Sequence, residues 1–105
     1  MTDKLLVLTT AGSEAEANQI AQALVERRLA ACVNIVPRIQ SVYRWQDKVE
    51  KSQEFLLFIK TKRGLEPEVR AAIRELHSYE LPEHLALAIE NGSEEYLKWI
   101  DESVT

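Results

Sequence analysis

Two β-prone runs of unusual length, joined by three polar residues, restrict this chain more than any other feature. The first occupies residues 31–45, from Ala31 to Trp45. The second starts near Val49 and is richest at Phe55, Leu56, Leu57, Phe58 and Ile59. β-Branched and aromatic residues dominate both runs. Val33, Ile35, Ile39, Tyr43 and Trp45 recur with the period of two that a half-buried strand requires. Gln46, Asp47 and Lys48 form the tip, where Asp tolerates the left-handed backbone that a tight hairpin needs. At ~3.3 Å per residue such a strand reaches about 45–50 Å. A domain of this size has a radius of gyration near ~13 Å, or about 33 Å across. The tip is therefore expected to project past its own core, carrying Val42, Tyr43 and Trp45. A lone two-stranded ribbon is marginal in water, so another chain is expected to cover it. Pro37 removes a ladder donor and marks a bulge or an edge. A bulge flips the facing of the residues beyond it, which leaves the faces of residues 39–45 open.

The chain has 105 residues, enough for a single domain spanning 1–105 with one core. Hydrophobic residues make up 46% and charged ones 29%, an ordinary balance for a globular protein. Net charge is −4, so no nucleic-acid partner is expected; such binders cluster Lys and Arg on phosphates. One cysteine forms neither an intrachain disulfide nor a CxxC clip. The apolar run from Leu5 to Leu8 is too short for a signal-peptide core, and no stretch approaches the ~20 apolar residues of a membrane span. No membrane association is expected, and the expected location is the cytoplasm.

Residues 4–10 read as a short central strand, apolar on both parities. Ser13-Glu14-Ala15-Glu16 fits a capping box, in which Ser13 accepts from a backbone N–H and Glu16 reaches back. The helix after it places Ala17, Ile20, Ala21, Leu24 and Val25 on one stripe, with Arg27 and Arg28 in its last turn. After the hairpin, Pro67 sits in the first turn of a second helix whose apolar face is Leu65, Val69, Ala72, Ile73 and Leu76. A connection over 77–84 leads to a fourth strand over 85–89. Ser93 then caps a last helix with Tyr96, Leu97 and Ile100 inward. The order β-α-β-β-α-β-α is α+β: a ferredoxin-like βαββαβ sandwich with an extra C-terminal helix and a long hairpin between its second and third strands. Right-handed crossovers put the two crossover helices on one face. A second subunit is the economical cover for the other.

The residues Ala31 to Pro37, then Ser41, Tyr43 and Trp45, then Glu54 and Lys60-Thr61, resemble the CutA family of divalent-cation tolerance proteins. The likeness continues through His77-Ser78-Tyr79-Glu80-Leu81-Pro82-Glu83 to Tyr96-Leu97 and Trp99-Ile100. The resemblance implies a ferredoxin-like protomer in a tight homotrimer with hairpins pairing across subunits. It implies a role in tolerance to copper and other divalent cations, with copper binding in some members and no established catalysis. In outline the fold and trimer are also those of the P-II signalling proteins, which bind small effectors between subunits. Ser78 stands where the family usually has Pro. Thr9 and Leu76 stand where a copper-linked bacterial member has Cys and His.

Glu54 and Lys60 share parity on the second hairpin strand, so they are expected on one face. With Tyr79 they are candidates for an inter-subunit cleft that binds an anion or a metal; the alternative is an interface ion pair that fixes register. Pro37, Tyr43, Trp45 and Trp99 are expected at the trimer interface, since such aromatics more often anchor cores or interfaces than stack ligands. His77 and His84 are the candidate metal ligands, with Glu80 or Glu83 as oxygen donors. The alternative is a helix-terminal His77 and a solvent-facing His84. Cys32 reads as a small buried hydrophobe. Arg38 and Arg44 read as a solvated or paired stripe. The first loop, residues 9–13, lacks the Arg of a phosphate cradle, and no Ser–His or Cys–His pair has a recognisable spacing. The expected function is non-enzymatic: a trimeric copper or divalent-cation tolerance protein that binds metal or acts as a scaffold. Its only expected cofactor is Cu2+ or another divalent cation, held weakly. The alternative is a P-II-like trimeric module that binds a small effector at inter-subunit clefts.

Overall fold

The structure, a computed structural model, describes residues 2–105. Strands β2 (Cys32–Trp45) and β3 (Lys48–Lys62) pair antiparallel out to Trp45 opposite Lys48. That leaves a two-residue loop, Gln46 and Asp47, with φ of 49° and 65°. Left-handed backbone at both central positions is the type I′ pattern, whose twist matches the strands it joins. Neither residue is glycine, and a Gln side chain fits this region poorly. The double substitution Gln46→Asn, Asp47→Gly is expected to raise the unfolding free energy by about 1 kcal/mol. Urea denaturation at fixed protein concentration checks it.

The bulge expected at Pro37 is present. Val36 lies opposite Leu56 and Ile39 opposite Glu54, so Pro37 and Arg38 together oppose one residue, Phe55. Arg38 takes a φ of 57°. One extra residue inverts the facing beyond it. Val33 and Ile35 share the face of Ile59 and Leu57, whereas Ile39, Tyr43 and Trp45 share that of Glu54, Glu50 and Lys48.

Strand β1 (Lys4–Ala11) pairs with β3 only from Lys62 back to Phe55. The next seven residues of β3 toward the tip have β2 alone beside them. This overhang gives the protomer its 44 × 25 × 23 Å extents. With β4 (Leu85–Ala88) the sheet order is β2-β3-β1-β4, the expected ferredoxin-like arrangement. Helices α1 (Glu14–Glu26) and α2 (Glu66–Leu76, after a 3-10 turn at Arg63–Leu65) cover one face. Ile20, Leu24, Val69 and Ile73 there bury Leu5, Val7, Leu57 and Ile59.

Several local expectations are corrected. Helix α1 stops at Glu26, so Arg27 is its C-cap and Arg28, at φ 59°, lies beyond it rather than in the last turn. Val25 turns outward, 42% exposed. Ser13 does cap α1, accepting from the Glu16 N–H. Glu16, however, reaches across to the Ser78 N–H at 3.0 Å instead of back to Ser13. The fourth strand ends at Ala88 rather than 89.

The second sheet face is not left wholly to a neighbour, as the sequence suggested. Helix α3 (Glu94–Ser103), capped by Ser93, lies over one end of it. Asp101 there sits 3.5 Å from Lys4 and 3.8 Å from Lys62, and the Tyr96 hydroxyl is 3.3 Å from Lys60. Ile100 is buried, while Tyr96, expected inward, is exposed. The rest of this face stays open. Leu8, Leu56 and Phe58 are half-buried, and Val36, Leu85 and Leu87 are exposed.

Candidate functional site

The connection from α2 to β4 folds over the end of β1 and meets the base of the hairpin overhang. His77 closes α2, its N–H bonded to Ile73 O, and its imidazole is fully buried. Nε2 lies 2.5 Å from the Thr10 carbonyl, and Nδ1 accepts the Tyr79 N–H at 3.1 Å. A carbonyl only accepts and an amide N–H only donates, so the proton sits on Nε2 and the Nδ1 lone pair is in use. The ring thus fixes the loop, and neither nitrogen is free for a metal.

The Tyr79 ring lies 4.6 Å from that of His77. Its hydroxyl donates to Glu54 Oε2 at 2.8 Å. Burial pushes the Tyr79 phenol up, and the Glu54 carboxylate adds to this, so it remains a donor at any ordinary pH. Gly12 makes room for it: a Cβ there would lie 2.9 Å from the Tyr79 oxygen. Glu54 is 7% exposed, and its Oε1 takes no hydrogen bond from the described residues. Burial raises the Glu83 carboxyl too, with the charge of Glu54 adding to the effect.

These groups open into a cleft of about 930 Å³. Thr10, Tyr43, Trp45, Glu54, Tyr79 and Glu83 line it, with His84 at one side. Tyr43 reaches it from the hairpin, its hydroxyl 3.3 Å from Ser52 Oγ.

His84 is held elsewhere by Glu66. Nε2 is 2.7 Å from Glu66 Oε2, and Glu66 also takes both Arg70 bonds, at 3.0 and 2.8 Å. Burial works to raise the Glu66 carboxyl, but the bonds from His84 and Arg70 outweigh it and hold the group below its usual value. His84 Nδ1 is buried without a partner. His84 is therefore tied to the protein rather than solvent-facing. His77 and His84 have separate anchors, His77 on the Thr10 carbonyl and the Tyr79 N–H, His84 on Glu66. Among the described residues no three His, Cys, Asp or Glu side chains converge on a metal position.

Of the three cleft candidates, Glu54 and Tyr79 meet and Lys60 does not. Lys60 shares Glu54's face but lies six residues along β3, about 20 Å away. There it bonds the Tyr96 hydroxyl, its Nζ 5.5 Å from that ring. Trp99 stacks on Tyr96 at 5.3 Å, also on α3 and outside the cleft. Pro37 sits in the bulge. Cys32 is half-buried on the open face rather than in the core, 3.8 Å from Asn34 Oδ1. The sequence reading missed Thr10 and Gly12, whose roles come from contacts with residues more than 60 positions away.

Residues 5–103 match the family model described as CutA1 divalent ion tolerance protein. The chain belongs to the CutA1 family. It is 50% identical over 98 residues to the divalent-cation tolerance protein CutA of Thermus thermophilus, covering 93% of this chain and 95% of that protein. The solved structure of the Thermus thermophilus Cut A1 protein superposes with a TM-score of 0.95 at 48% identity, over 97% of this chain and 99% of that one. A second structure, the CutA of Archaeoglobus fulgidus described as a periplasmic divalent cation tolerance protein, gives 0.94 at 43% identity, over 97% and 99% of the two chains. Against the human Protein CutA the identity is 45% over 91 residues; that match covers 87% of this chain and 51% of the human one. No helix among the described residues is long and apolar enough to cross a membrane.

Proposed function

We propose that this CutA1 chain serves divalent-cation tolerance as a non-enzymatic assembly of identical subunits, a homotrimer. In this reading each hairpin overhang is buried by a neighbouring copy. One observation carries the association of copies, and the number three rests on the family resemblance alone. The overhang has no core beneath it, yet Val42, Tyr43, Trp45 and Val49 on it are 60, 43, 39 and 64% exposed. Tyr43 and Trp45 share the open sheet face with the exposed Val36, Leu85 and Leu87, while Val42 and Val49 lie on the opposite side of the ribbon. An apolar surface that extends over a ribbon and half a sheet marks an interface. We place the protein in the cytoplasm, where a lone thiol such as Cys32 stays reduced.

Within this assembly the divalent ion is met by the oxygens of Glu54 and Glu83, and only weakly. His77 has no free nitrogen, and His84 offers only its buried Nδ1. Carboxylate donors without free imidazole or thiolate favour low affinity and little preference for copper. Calorimetry with Cu2+ and Zn2+ on tag-free protein is expected to give saturable heats, with dissociation constants of about 10 µM or weaker. No saturable heat for either ion overturns the direct-binding part.

A second reading has support in the cleft's volume and its aromatic wall: a small organic effector bound where copies meet.

A further inference from the structure

Several features of the cleft exceed what a divalent ion uses. Its volume of about 930 Å³ lies in the range that holds small organic ligands, ~300–1,000 Å³. Tyr43 and Trp45 from the hairpin, and Tyr79 from the loop, give it ring surface. Glu54 lies deep in it with one oxygen bonded and the other free, though the residue is only 7% exposed. Glu83, exposed at the rim, lines the same cleft. A buried carboxylate and a second one at the rim of the same cleft repel each other, and a cation between them relieves the repulsion. Aromatic faces beside the carboxylates favour a cation with an organic body over a hydrated ion. An anionic effector would meet Glu54, Glu80 and Glu83, against Arg44 alone among the lining arginines and lysines.

We propose that this cleft binds a small organic cation carrying a primary ammonium or guanidinium group. Glu54 Oε1 and Glu83 accept its N–H bonds, and the Tyr43 and Trp45 rings flank its carbon chain. Tyr79 positions Glu54 by donating to Oε2, which turns Oε1 toward the ligand. The assignment rests on the effector reading and goes past it by naming the ligand class.

The test is calorimetric titration of the full chain at low ionic strength with n-butylammonium, 1,4-diaminobutane and guanidinium, and with butyrate and ATP as anionic controls. Saturable binding of at least one cation is expected, with a dissociation constant of about 1 mM or below, and none of the anions. Glu54→Gln is expected to weaken it at least tenfold. Trp45 emission, read in a Trp99→Phe background, is expected to shift with the same midpoint. If Glu54→Gln alters the circular dichroism spectrum, Glu83→Gln serves in its place, with at least a threefold loss expected. Absence of saturable heat for all three cations overturns the proposal, as does a carboxamide variant that binds as tightly as the parent. Binding of butyrate or ATP alone overturns the cationic class while supporting an effector site. Light scattering on the same samples separates the two claims. Single chains that still bind the cation refute the seam and leave the ligand assignment standing.

Discussion

Tyr43→Glu combined with Trp45→Glu is expected to convert the assembled protein into single chains. By light scattering at micromolar concentration, the mass should fall from that of the proposed trimer, three times 12.0 kDa, to the 12.0 kDa of one chain. Both rings lie on the face that the Pro37 bulge turns away from the helices. They therefore contribute nothing to the protomer's own core. An aromatic side chain offers ~150–250 Å², and since Tyr43 and Trp45 are 43 and 39% exposed in the single chain, the pair has about 120–200 Å² left to bury, roughly 3–5 kcal/mol at each seam at ~25 cal/mol per Å² before entropy is set against it. The new carboxylates also stand on the face of Glu50 and Glu54, so each copy repels the next. The far-ultraviolet circular dichroism should hardly change, because the strand pairing from Cys32 to Val36 and from Leu56 to Lys60 lies well away from the tip. An unchanged mass would remove the hairpin from the interface. A mass already at one chain in the parent would remove the assembly altogether.

What the sequence made legible was local. Period-two runs, Pro37 and the Ser13 and Ser93 caps each act through neighbours a few positions away, and each is found where expected; the tip is one residue shorter than the expected Gln46-Asp47-Lys48, because Lys48 already pairs with Trp45 in β3. What it hid was long-range or depended on counting. The facing of Tyr43 and Trp45 depends on whether the bulge holds one extra residue or two, and Pro37 reveals only that there is a bulge. An amphipathic helix such as α3 has an apolar stripe, but the stripe does not say which sheet face it covers. The charges do so in retrospect: Lys4, Lys60 and Lys62 share a parity, and Asp101 and Tyr96 answer them. In the candidate site, His77 looked like a ligand because histidine usually has a spare lone pair. Its two nitrogens are instead used by the Thr10 carbonyl, 67 positions away, and by the Tyr79 N–H. Glu16 was misjudged for the same reason. The capping-box spacing describes what the side chain reaches within its own helix, while the Ser78 N–H arrives from 62 positions further on.

Leu57→Ala is expected to cost about 2–5 kcal/mol, the range for truncating a fully buried leucine that cannot be repacked. Leu57 is wholly buried, with Thr9 opposite it on β1 and Ile35 on β2. It belongs to the core that the two helices close. Single domains have only ~5–15 kcal/mol in all, so this substitution brings the protomer near its limit. Its effect differs in kind from that of the hairpin change. In an assembly, folding and association are linked, and the unfolding midpoint of the parent should rise with protein concentration. Leu57→Ala should lower that midpoint at every concentration and keep its slope with concentration. Tyr43→Glu with Trp45→Glu should abolish the slope. Leu85→Ala then distinguishes the two regimes. At 55% exposed in the single chain, Leu85 should matter little in the hairpin variant and by about 1 kcal/mol or more in the parent, if the open sheet face is covered by a neighbour. Guanidinium unfolding at two protein concentrations for each variant measures all of this, and equal costs for Leu85→Ala in both backgrounds would show that no copy covers that face.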